Sequence, residues 1–383
     1  MRIFFSVGEP SGDLHAANLI RSLRRLQPGL DCVGFGGECM QDAGCELIYP
    51  LCQHAVMGVA RVLAGAATFI KLIARANRYF RAHRPDAVVL VDYPGFNWWI
   101  ARRARAHGIP VFYFVPPQLW AWAGWRIKKM RRNVDHVLCT LPFEQAWYKE
   151  HGVDAHYVGH PFFDELQHQR LDTDFLDNQE QDGTPIVGLL PGSRNQEVER
   201  NWSMQYRAAA RIHQARPDVR FLAACFKPHQ QRWIDDYLRR HPPLPIETCV
   251  GRTPEILELA TACITVSGSV ALELLWRAKP SAIIYRLDPV SLRFCRWVLN
   301  VPHICLVNLL AGKELYPEFL TDHCASAAVA ERVLTWLNDP GKYAALCAEL
   351  TVLRERVAAP GACERAARYI VAALSERRPS LAA

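Results

Sequence analysis

The chain has 383 residues, of which 50% are hydrophobic and 22% are charged. This composition excludes an intrinsically disordered protein and supplies enough apolar surface for large cores, most simply in two domains. The formal net charge of +7 fits a phosphorylated substrate, an anionic membrane surface or nucleic acid, and does not choose among them.

The thirteen cysteines include no C-x-x-C pair. Their spacing is therefore not that of a usual zinc site, and we expect reduced thiols in a cytosolic protein. The N-terminus begins directly with an apolar strand pattern, so no signal peptide is expected.

The first half of the chain alternates apolar β-rich runs with helical stretches. Predicted strands lie at residues 3–7, 32–35, 87–92, 111–115, 136–140 and 156–158, and predicted helices at 14–26, 66–82 and 98–107. Near-continuous apolar strands separated by helices indicate a parallel sheet that is covered on both faces.

Two carboxylates follow predicted strands of this half. Glu9 lies in the turn after residues 3–7, and Asp92 ends the apolar run 87–91. Ligands of open parallel sheets bind beyond the carboxyl ends of the strands, so both side chains are candidates for substrate contact. A carboxylate at Asp92 would accept a proton from a substrate hydroxyl, an effect on the order of 100- to 10,000-fold in rate. The alternative is a carboxylate that caps the next helix.

Two further stretches suggest a membrane surface. Trp120 and Trp122 precede a basic run, residues 126–132, that contains five cations. Indole rings favour the membrane interface and cations attract anionic headgroups, although nucleic-acid binding uses similar chemistry and a solvated helix face is the simplest alternative. The apolar stretch 55–73 contains Arg61 and Lys71, so a buried or interfacial helix is expected there rather than a membrane span.

Polar composition over residues 164–184 predicts a linker between an N-terminal domain, 1–163, and a C-terminal domain, 185–345. Helices are expected over 346–383. The linker contains a D-x-D triplet at Asp172-Thr173-Asp174, which holds a metal in some proteins. No strand precedes it, so solvated charge is the preferred interpretation, and no metal site is predicted.

The second half repeats the alternation, with strands predicted at 186–190, 220–225, 246–250, 262–266 and 281–285. Two of these strands end in small-residue turns that open helices. The first turn contains Gly192, Ser193 and Arg194, and the second contains Ser267, Gly268 and Ser269, followed by Glu273. Free N–H groups at a helix start, together with an arginine, suit a phosphate, although an ordinary strand-to-helix turn explains the first stretch equally well.

The chain resembles the lipid-A-disaccharide synthases, inverting glycosyltransferases of the GT-B fold. The resemblance rests on motifs whose order and spacing extend over some 300 residues. They are Gly8-Glu9-Pro10-Ser11-Gly12-Asp13, Val56-Met57-Gly58, the turn 92–97, the stretch 117–122 with Trp-Ala-Trp, Leu141-Pro142-Phe143-Glu144, Gly159-His160-Pro161, Leu190-Pro191-Gly192-Ser193-Arg194 with Glu197, Ser267-Gly268-Ser269 with Glu273, and 308–315.

The resemblance implies an α/β protein of GT-B type, with two Rossmann-like domains whose parallel sheets face a cleft. It implies a helical C-terminal tail that returns to the first domain or is exchanged in a homodimer. The implied reaction moves 2,3-diacylglucosamine from UDP to 2,3-diacylglucosamine 1-phosphate, and forms the β-1,6-linked lipid A disaccharide 1-phosphate with release of UDP.

The resemblance also implies roles for individual residues. Asp92 corresponds to the essential acid and base for the attacking 6-hydroxyl, with Glu9 close by, and Arg194 corresponds to the cation that binds the UDP phosphates. The remaining residues assigned to the UDP pocket are Gly192, Ser193, Ser267, Gly268, Ser269, Glu273 and Asn308. Beyond the UDP-sugar donor, no cofactor and no metal are expected.

The expected partners are the two lipid substrates and the anionic phospholipid of the inner membrane surface, with no nucleic acid. The expected location is cytoplasmic and peripheral to that membrane. Gly95, Pro116 and Ala123 replace an aspartate, a serine and an arginine that are common in the family, which affects acceptor recognition more than the reaction. Alternatives are another UDP-sugar GT-B enzyme, a UDP-sugar epimerase, or a non-catalytic UDP-sugar-binding protein.

Overall fold

The computed structural model describes residues 1–52, 62–180 and 183–377, and gives only the helical backbone of 62–66. The chain divides into two compact units. Unit 1 comprises Met1–Gln167 together with the C-terminal segment from Ala359, and unit 2 comprises His168–Ala358.

Unit 1 is built on a seven-stranded parallel sheet of order β3-β2-β1-β4-β5-β6-β7. The strands are β1 (Arg2–Val7), β2 (Asp31–Phe35), β3 (Glu46–Tyr49), β4 (Ala87–Val91), β5 (Val111–Phe114), β6 (His136–Cys139) and β7 (Ala155–Tyr157). Every residue of β4 is buried, as expected for a central strand that is covered on both faces. In the register of β1 and β4, Val7 pairs with Val91, so the two strands end side by side.

The α-helices of unit 1 are Pro10–Leu26, Glu38–Asp42, Val62–His83, Pro94–Ala106, Leu119–Trp122, Ile127–Asn133, Pro142–Glu150, Pro161–Gln167 and Ala362–Arg377, with a short 3₁₀ helix at Gly124–Arg126. Proline opens several of them, because its fixed φ fits a first helical turn where no N–H is needed. The C-terminal helix Ala362–Arg377 packs against Pro10–Leu26.

Unit 2 contains a six-stranded parallel sheet of order β10-β9-β8-β11-β12-β13. The strands are β8 (Ile186–Leu190), β9 (Arg220–Cys225), β10 (Ile246–Val250), β11 (Ala262–Val266), β12 (Ser281–Arg286) and β13 (Glu318–Thr321), and the helices are Thr173–Gln179, Asn195–Ala215, Pro228–Arg239, Thr253–Leu259, Val270–Trp276, Pro289–Val298, Leu306–Ala311, Ser326–Asn338 and Pro340–Val357. The two parallel, helix-covered sheets confirm the predicted α/β class with two Rossmann-like units.

Several local details differ from the sequence-based expectations. The edge strands β3 and β13 were not predicted, and the polar stretch 164–184 contains the helix Thr173–Gln179 and the end of Pro161–Gln167. All thirteen cysteines are free thiols. No helix in the described ranges is long and apolar enough to cross a membrane.

Candidate active site

Asp92 lies in an unusual turn between β4 and the helix Pro94–Ala106. Asp92 and Tyr93 both have left-handed backbone conformations, with φ of 46° and 48°. Such a conformation costs on the order of 1 to 3 kcal/mol for a non-glycine residue and is common at functional sites. The turn is therefore a first candidate for the site.

Asn97 holds this turn in place. Its Nδ2 donates to the carbonyl oxygens of Asp92 at 2.6 Å and Val91 at 3.2 Å, and its Oδ1 accepts from the Ser6 hydroxyl at 2.7 Å. The Tyr113 hydroxyl also donates to the Asp92 carbonyl, at 2.8 Å. Asn97 is fully buried, so these bonds fix the main chain of the turn without using the Asp92 carboxylate.

The Asp92 carboxylate has the properties of a general base. Burial raises its pKa above the usual 3.8, and a hydrogen bond from the Tyr93 main chain and the nearby His15 partly offset that increase. A carboxylate that binds a proton more tightly than usual accepts one more readily from a hydroxyl group near neutral pH.

Glu9 lies beside this turn. It follows Gly8 after β1 and precedes the helix Pro10–Leu26. A Cβ atom at position 8 would lie 2.1 Å from Cδ1 of Tyr93, so only glycine allows the tyrosine ring to cover the β1 turn. Burial and then the negative charge of Glu9 raise the pKa of Tyr93. The structure thus brings Glu9 and the Asp92 turn together, as the strand order predicts.

A hydrogen-bonded pair of side chains near Asp92, His15 and Glu165, was not found by sequence reasoning. His15 Nδ1 lies 2.7 Å from Glu165 Oε1, and both side chains are largely buried. The ring of His160 packs edge-on against His15 at 6.1 Å between centroids, and burial lowers the pKa of His160 to about 3. The motif Gly159-His160-Pro161 therefore supports His15 and contributes a neutral imidazole.

An apolar cavity of about 790 Å³ adjoins the Asp92 turn. Its walls include Phe69, Ile70 and Ile73 from the helix Val62–His83, and Tyr93, Phe96 and Trp99 from the turn and the following helix. A cavity of this size and chemistry suits hydrocarbon. Phe69, Ile70 and Ile73 are the residues of the predicted apolar stretch 55–73 that line it, and Val56-Met57-Gly58 lies outside the described residues.

In unit 2, the first predicted phosphate turn follows β8. Gly192 has φ of +119°, and a Cβ there would lie 2.6 Å from Cβ of Glu197, so glycine is required. The Glu197 carboxylate accepts from the main-chain N–H groups of Ser193 and Arg194, each at 3.2 Å, and pairs with Arg194 Nη1 at 2.9 Å. The Arg194 side chain is 78% exposed, so a ligand can reach the guanidinium.

The second predicted turn lies at the end of the neighbouring strand. Thr265 of β11 pairs with Leu190 of β8, and Gln205 Nε2 bridges the two strands by donating to the carbonyls of Leu190 at 3.1 Å and Ile264 at 3.0 Å. The structure therefore places the turn 191–194 and the turn 267–269 at one edge of the sheet.

Within the second turn, Gly268 and Ser269 are exposed, and a Cβ at Gly268 would meet nothing within 4 Å. The hydroxyl of Ser267 donates to the carbonyl of Ile304 at 3.0 Å. Glu273 is buried, and burial raises its pKa while Arg277 opposes the increase. Glu273 Oε1 lies 3.5 Å from Arg277 Nη2.

The Asn308 side chain is buried and does not reach the exposed turn 267–269. It is fully buried, its Nδ2 donates to the Tyr316 carbonyl at 2.7 Å and to Glu318 at 2.8 Å, and its Oδ1 accepts from the N–H groups of Leu315 and Tyr316 at 2.9 Å. Its amide is thus satisfied by protein groups, and it orders the segment beside Ser267.

The D-x-D triplet has a local role. Asp172 accepts from the Phe175 N–H at 3.0 Å as the cap of the helix Thr173–Gln179 and pairs with Arg252 at 2.6 Å. Within residues 1–52, 62–180 and 183–377, no group of three or more histidine, cysteine, aspartate or glutamate side chains has the geometry of a metal site.

The Trp-Ala-Trp stretch is anchored from one side. Trp120 Nε1 donates to buried Glu144 at 2.9 Å, which explains why the Leu-Pro-Phe-Glu motif accompanies it. Trp122 and Trp125 are exposed, and both rings lie under the guanidinium of Arg126, at 5.0 and 5.8 Å. Ala123 is fully buried, so its small side chain packs in the interior.

Comparison with known proteins places the chain in a family. The family model described as Lipid-A-disaccharide synthetase matches residues 3–368. A lipid-A-disaccharide synthase from Syntrophus aciditrophicus is 34% identical over 95% of this chain and 96% of its own length. The enzyme of that name from Geobacter sulfurreducens is 32% identical over 98% of both chains.

Solved structures show the same fold at low identity. The UDP complex of MnaA from S. aureus has a TM-score of 0.69 at 13% identity, covering 98% of this chain and 97% of that one. MurG from Acinetobacter baumannii has a TM-score of 0.60 at 14% identity, covering 96% and 98%. Since the family model spans nearly the whole chain and relatives above 30% identity match over almost their full length, the chain belongs to the lipid-A-disaccharide synthase family of glycosyltransferases.

Proposed function

We propose that this chain transfers a 2,3-diacylglucosamine unit from UDP to the 6-hydroxyl of 2,3-diacylglucosamine 1-phosphate, with inversion at the anomeric carbon. The observation that carries the proposal is a desolvated carboxylate, Asp92, on a strained turn beside an apolar cavity, in a chain whose family membership implies this chemistry. The product is the β-1,6-linked disaccharide 1-phosphate, and UDP is released.

Asp92 is the base in this proposal. As the acceptor O6 attacks the anomeric carbon, Asp92 takes the hydroxyl proton, and the bond from that carbon to the UDP oxygen breaks with its electron pair. The base and the leaving group lie on opposite faces of the sugar, which gives inversion. Asn97 and Tyr113 hold the turn, so little reorganisation is needed when the proton moves.

The departing UDP gains negative charge, and unit 2 supplies groups that stabilise it. Arg194 is exposed and forks onto phosphate oxygens, and the main-chain N–H groups of Ser193 and Arg194 open a long helix. Glu197 accepts from both N–H groups in this structure and so fixes the turn, and the UDP phosphates displace its carboxylate to reach these donors, with the exposed guanidinium of Arg194 as the first contact. Donors of this kind, aimed at developing charge, are worth roughly 3 to 4 kcal/mol each, which is the basis for proposing metal independence.

The remaining site residues take supporting roles. Glu9 lies beside the Asp92 turn and contacts the acceptor, and Glu273, whose carboxylate is buried near an open turn, accepts from ribose hydroxyls. Gly192, Ser267, Gly268 and Ser269 let the nucleotide approach the main chain. Asn308 acts as a positioning residue, because its amide is satisfied internally.

Peripheral association with an anionic membrane is part of the proposal. Exposed apolar side chains support it in both units: Ile70 and Trp125 are 68% and 66% exposed, and Phe294 and Trp297 on the helix Pro289–Val298 are 62% and 80% exposed. Arg293 and Arg296 on that helix form no ion pair with any described residue. Flotation with phosphatidylglycerol vesicles tests this, and loss of binding in Phe294→Ser/Trp297→Ser is expected.

Two further expectations from the sequence concern the oligomeric state and the alternative of an epimerase. The homodimer stays a prediction, which light scattering of the purified protein would decide. An epimerase is not favoured, because the solved UDP-N-acetylglucosamine 2-epimerase structures share only the fold at 12% identity, while the curated relatives are synthases.

The reaction is tested by measuring lipid product and UDP from the two proposed substrates in EDTA. The wild-type chain is expected to form disaccharide, and folded Asp92→Ala is expected to form about 100-fold less or lower still. UDP binding without disaccharide in the wild-type chain would leave a UDP-sugar protein with another substrate.

A further inference from the structure

A second cavity, of about 740 Å³, lies next to the apolar one. Its walls come from the helices Pro94–Ala106 and Ile127–Asn133 and include Trp99, Arg102, Arg105, Lys128, Lys129 and Arg132. We call it the basic groove. Five cations line the basic groove, whereas the apolar cavity beside it is lined mainly by hydrocarbon.

Most of the charge in the basic groove is uncompensated. Arg105 pairs with Asp135, whereas Arg102, Lys128, Lys129 and Arg132 make no ion pair or side-chain hydrogen bond with any described residue. Like charges held together in a concave surface repel one another and attract an anion. Arginine side chains bind phosphate oxygens in a bidentate manner, and lysines add point charges.

The neighbouring basic residue Arg131 behaves differently. It lies on the same short helix, but its Nη2 donates to the carbonyl of His151 at 2.9 Å and it does not line the groove. Only part of the run 126–132 therefore points into the cavity, so the groove has the character of a site rather than of a uniformly charged surface.

The basic groove and the apolar cavity share Gly95 and Trp99 as wall residues. Gly95 comes three residues after Asp92, is exposed, and a Cβ atom there would meet nothing within 4 Å. Hydrocarbon-lined space, the carboxylate turn and a cationic pocket are thus contiguous within unit 1. A ligand that carries an acyl chain, a hydroxyl and a phosphate on one sugar matches this arrangement.

We propose that the basic groove binds the phosphate group of the acylated acceptor, with Arg102, Lys129 and Arg132 as its principal ligands. This inference rests on the proposed function. In a glucosamine 1-phosphate the 6-hydroxyl and the phosphate project from different ends of the ring, so a phosphate held in the groove directs the hydroxyl toward Asp92. Acyl chains then occupy the apolar cavity. The groove makes the enzyme selective for a phosphorylated acceptor.

A phospholipid headgroup offers the same phosphate chemistry and is the other possible source. The test therefore compares two acceptors, 2,3-diacylglucosamine with and without the 1-phosphate, and separately measures binding to phosphatidylglycerol vesicles. Binding of the phosphorylated acceptor is also measured directly by calorimetry, which does not depend on turnover.

The variants are Arg132→Gln and Lys129→Gln, with Arg131→Gln as the matched control of equal charge change on the same helix. In the first two, kcat/KM and affinity for the phosphorylated acceptor are expected to fall about tenfold. The acceptor without phosphate is used equally by all variants, so the preference for phosphate shrinks. Arg131→Gln is expected to match the wild type in both readouts.

Unchanged preference and affinity in Arg132→Gln and Lys129→Gln would overturn the proposal. Loss of vesicle binding in these variants, with acceptor preference unchanged, would also overturn it and would assign the groove to phospholipid. A wild-type chain that forms no disaccharide refutes the proposed function, yet a tenfold weaker calorimetric affinity in Arg132→Gln would still support the phosphate site.

Discussion

At the scale of single residues, Asp92 combines two costs that its surroundings offset. Its main chain is left-handed and its carboxylate is desolvated. Asn97 and Tyr113, which are both buried, donate hydrogen bonds to the Asp92 carbonyl and so stabilise the left-handed main chain. This pairing of strain with a fixed network points to selection for the position of the carboxylate rather than for stability.

The pH dependence of the reaction follows from the raised pKa of Asp92. The base acts only when ionised, so kcat/KM is expected to rise with pH through an apparent pKa above the usual 3.8 and then level off. Because burial makes ionisation harder in the folded protein, Asp92 also lowers the free energy of unfolding as pH rises from its unfolded pKa through its folded one. Steady-state rates and urea unfolding of wild type and Asp92→Asn, measured from about pH 3 to 8 so that the range includes the unfolded pKa, check both statements.

Asp92→Asn retains the side-chain shape but has no titratable group at position 92. Comparing it with the wild type therefore isolates the effect of Asp92 ionisation on stability. Its free energy of unfolding is expected to lose the pH-dependent decrease seen in the wild type. An acid limb of the wild-type rate profile at or below an apparent pKa of 3.8 would contradict the assignment of a desolvated base.

A second residue-scale prediction concerns Glu144. One carboxylate oxygen accepts from Trp120 Nε1 at 2.9 Å and the other from the N–H groups of Thr140 and Leu141 at 3.0 Å. In Glu144→Gln the amide nitrogen replaces one acceptor and faces a donor. We expect the free energy of unfolding to fall by about 1 to 3 kcal/mol, measured by urea denaturation at pH 8.

The control is a double-mutant cycle with Trp120→Phe, which removes the indole donor. If the two groups are coupled as described, the double variant loses less than the sum of the single losses. Equal urea-denaturation midpoints for wild type and Glu144→Gln would show that the Glu144 carboxylate does not stabilise the folded protein.

At the scale of elements, the central strands and the edge strands β7 and β10 were predicted from sequence, whereas the edge strands β3 and β13 were not. β4 is a continuous apolar run, and β1 and β11 are buried, nearly apolar runs interrupted by Ser6 and Thr265, because both faces of these strands are covered. This pattern can be read directly from the sequence. β3 and β13 have four residues each and are mostly half-exposed, so their pattern resembles that of loops. The helices predicted to start at residues 14 and 98 begin four residues earlier, at Pro10 and Pro94, because proline fits the first helical turn and extends each helix back to the end of the preceding turn.

The candidate site shows the same limit. Glu9 and Asp92 were predicted because adjacent parallel strands end at one edge, a rule that needs only local pattern. The pair His15–Glu165 joins residues 150 positions apart, and Asn97 reaches Ser6 over 91 positions. No local periodicity encodes such contacts, so sequence reasoning found Asp92 but not the groups that hold and tune it.

The C-terminal helix Ala362–Arg377 offers an element-scale prediction. Asp164 caps its N-terminus: Oδ1 accepts from the N–H groups of Gly361 at 2.5 Å and Ala362 at 3.0 Å, and Oδ2 accepts from Cys363 at 2.8 Å. Asp164→Ala is expected to cost about 1 to 2 kcal/mol of folding free energy, as for a strong N-cap. Urea unfolding measures the loss.

Asp164→Asn is the matched variant, because an asparagine oxygen still caps while the charge is lost. The free energy of unfolding of Asp164→Asn is expected to lie between those of the wild type and Asp164→Ala. Since this helix packs its buried face against Pro10–Leu26, hydrogen exchange of both helices should accelerate together in Asp164→Ala. Exchange confined to the C-terminal helix would mean that the cap does not secure the packing.

At the scale of the whole molecule, the proposed reaction divides its chemical roles between the two units. Asp92, Glu9, the apolar cavity and the basic groove belong to unit 1, and the turns 191–194 and 267–269, which are proposed to bind UDP, belong to unit 2. Each set is organised by strands of its own sheet. A change in one set is therefore expected to impair one substrate's binding and leave the other intact.

Arg194→Ala and Asp92→Ala test this division. Arg194 makes a charge-assisted contact with the nucleotide in the proposal, so its loss is expected to weaken UDP binding about tenfold or more. Asp92 lies on the other unit and acts on the acceptor, so Asp92→Ala is expected to bind UDP as the wild type does, while both variants lose turnover. Calorimetric titration with UDP in EDTA separates the two effects. Equal weakening of UDP binding in both variants would contradict the division and would require that the nucleotide contact Asp92 as well.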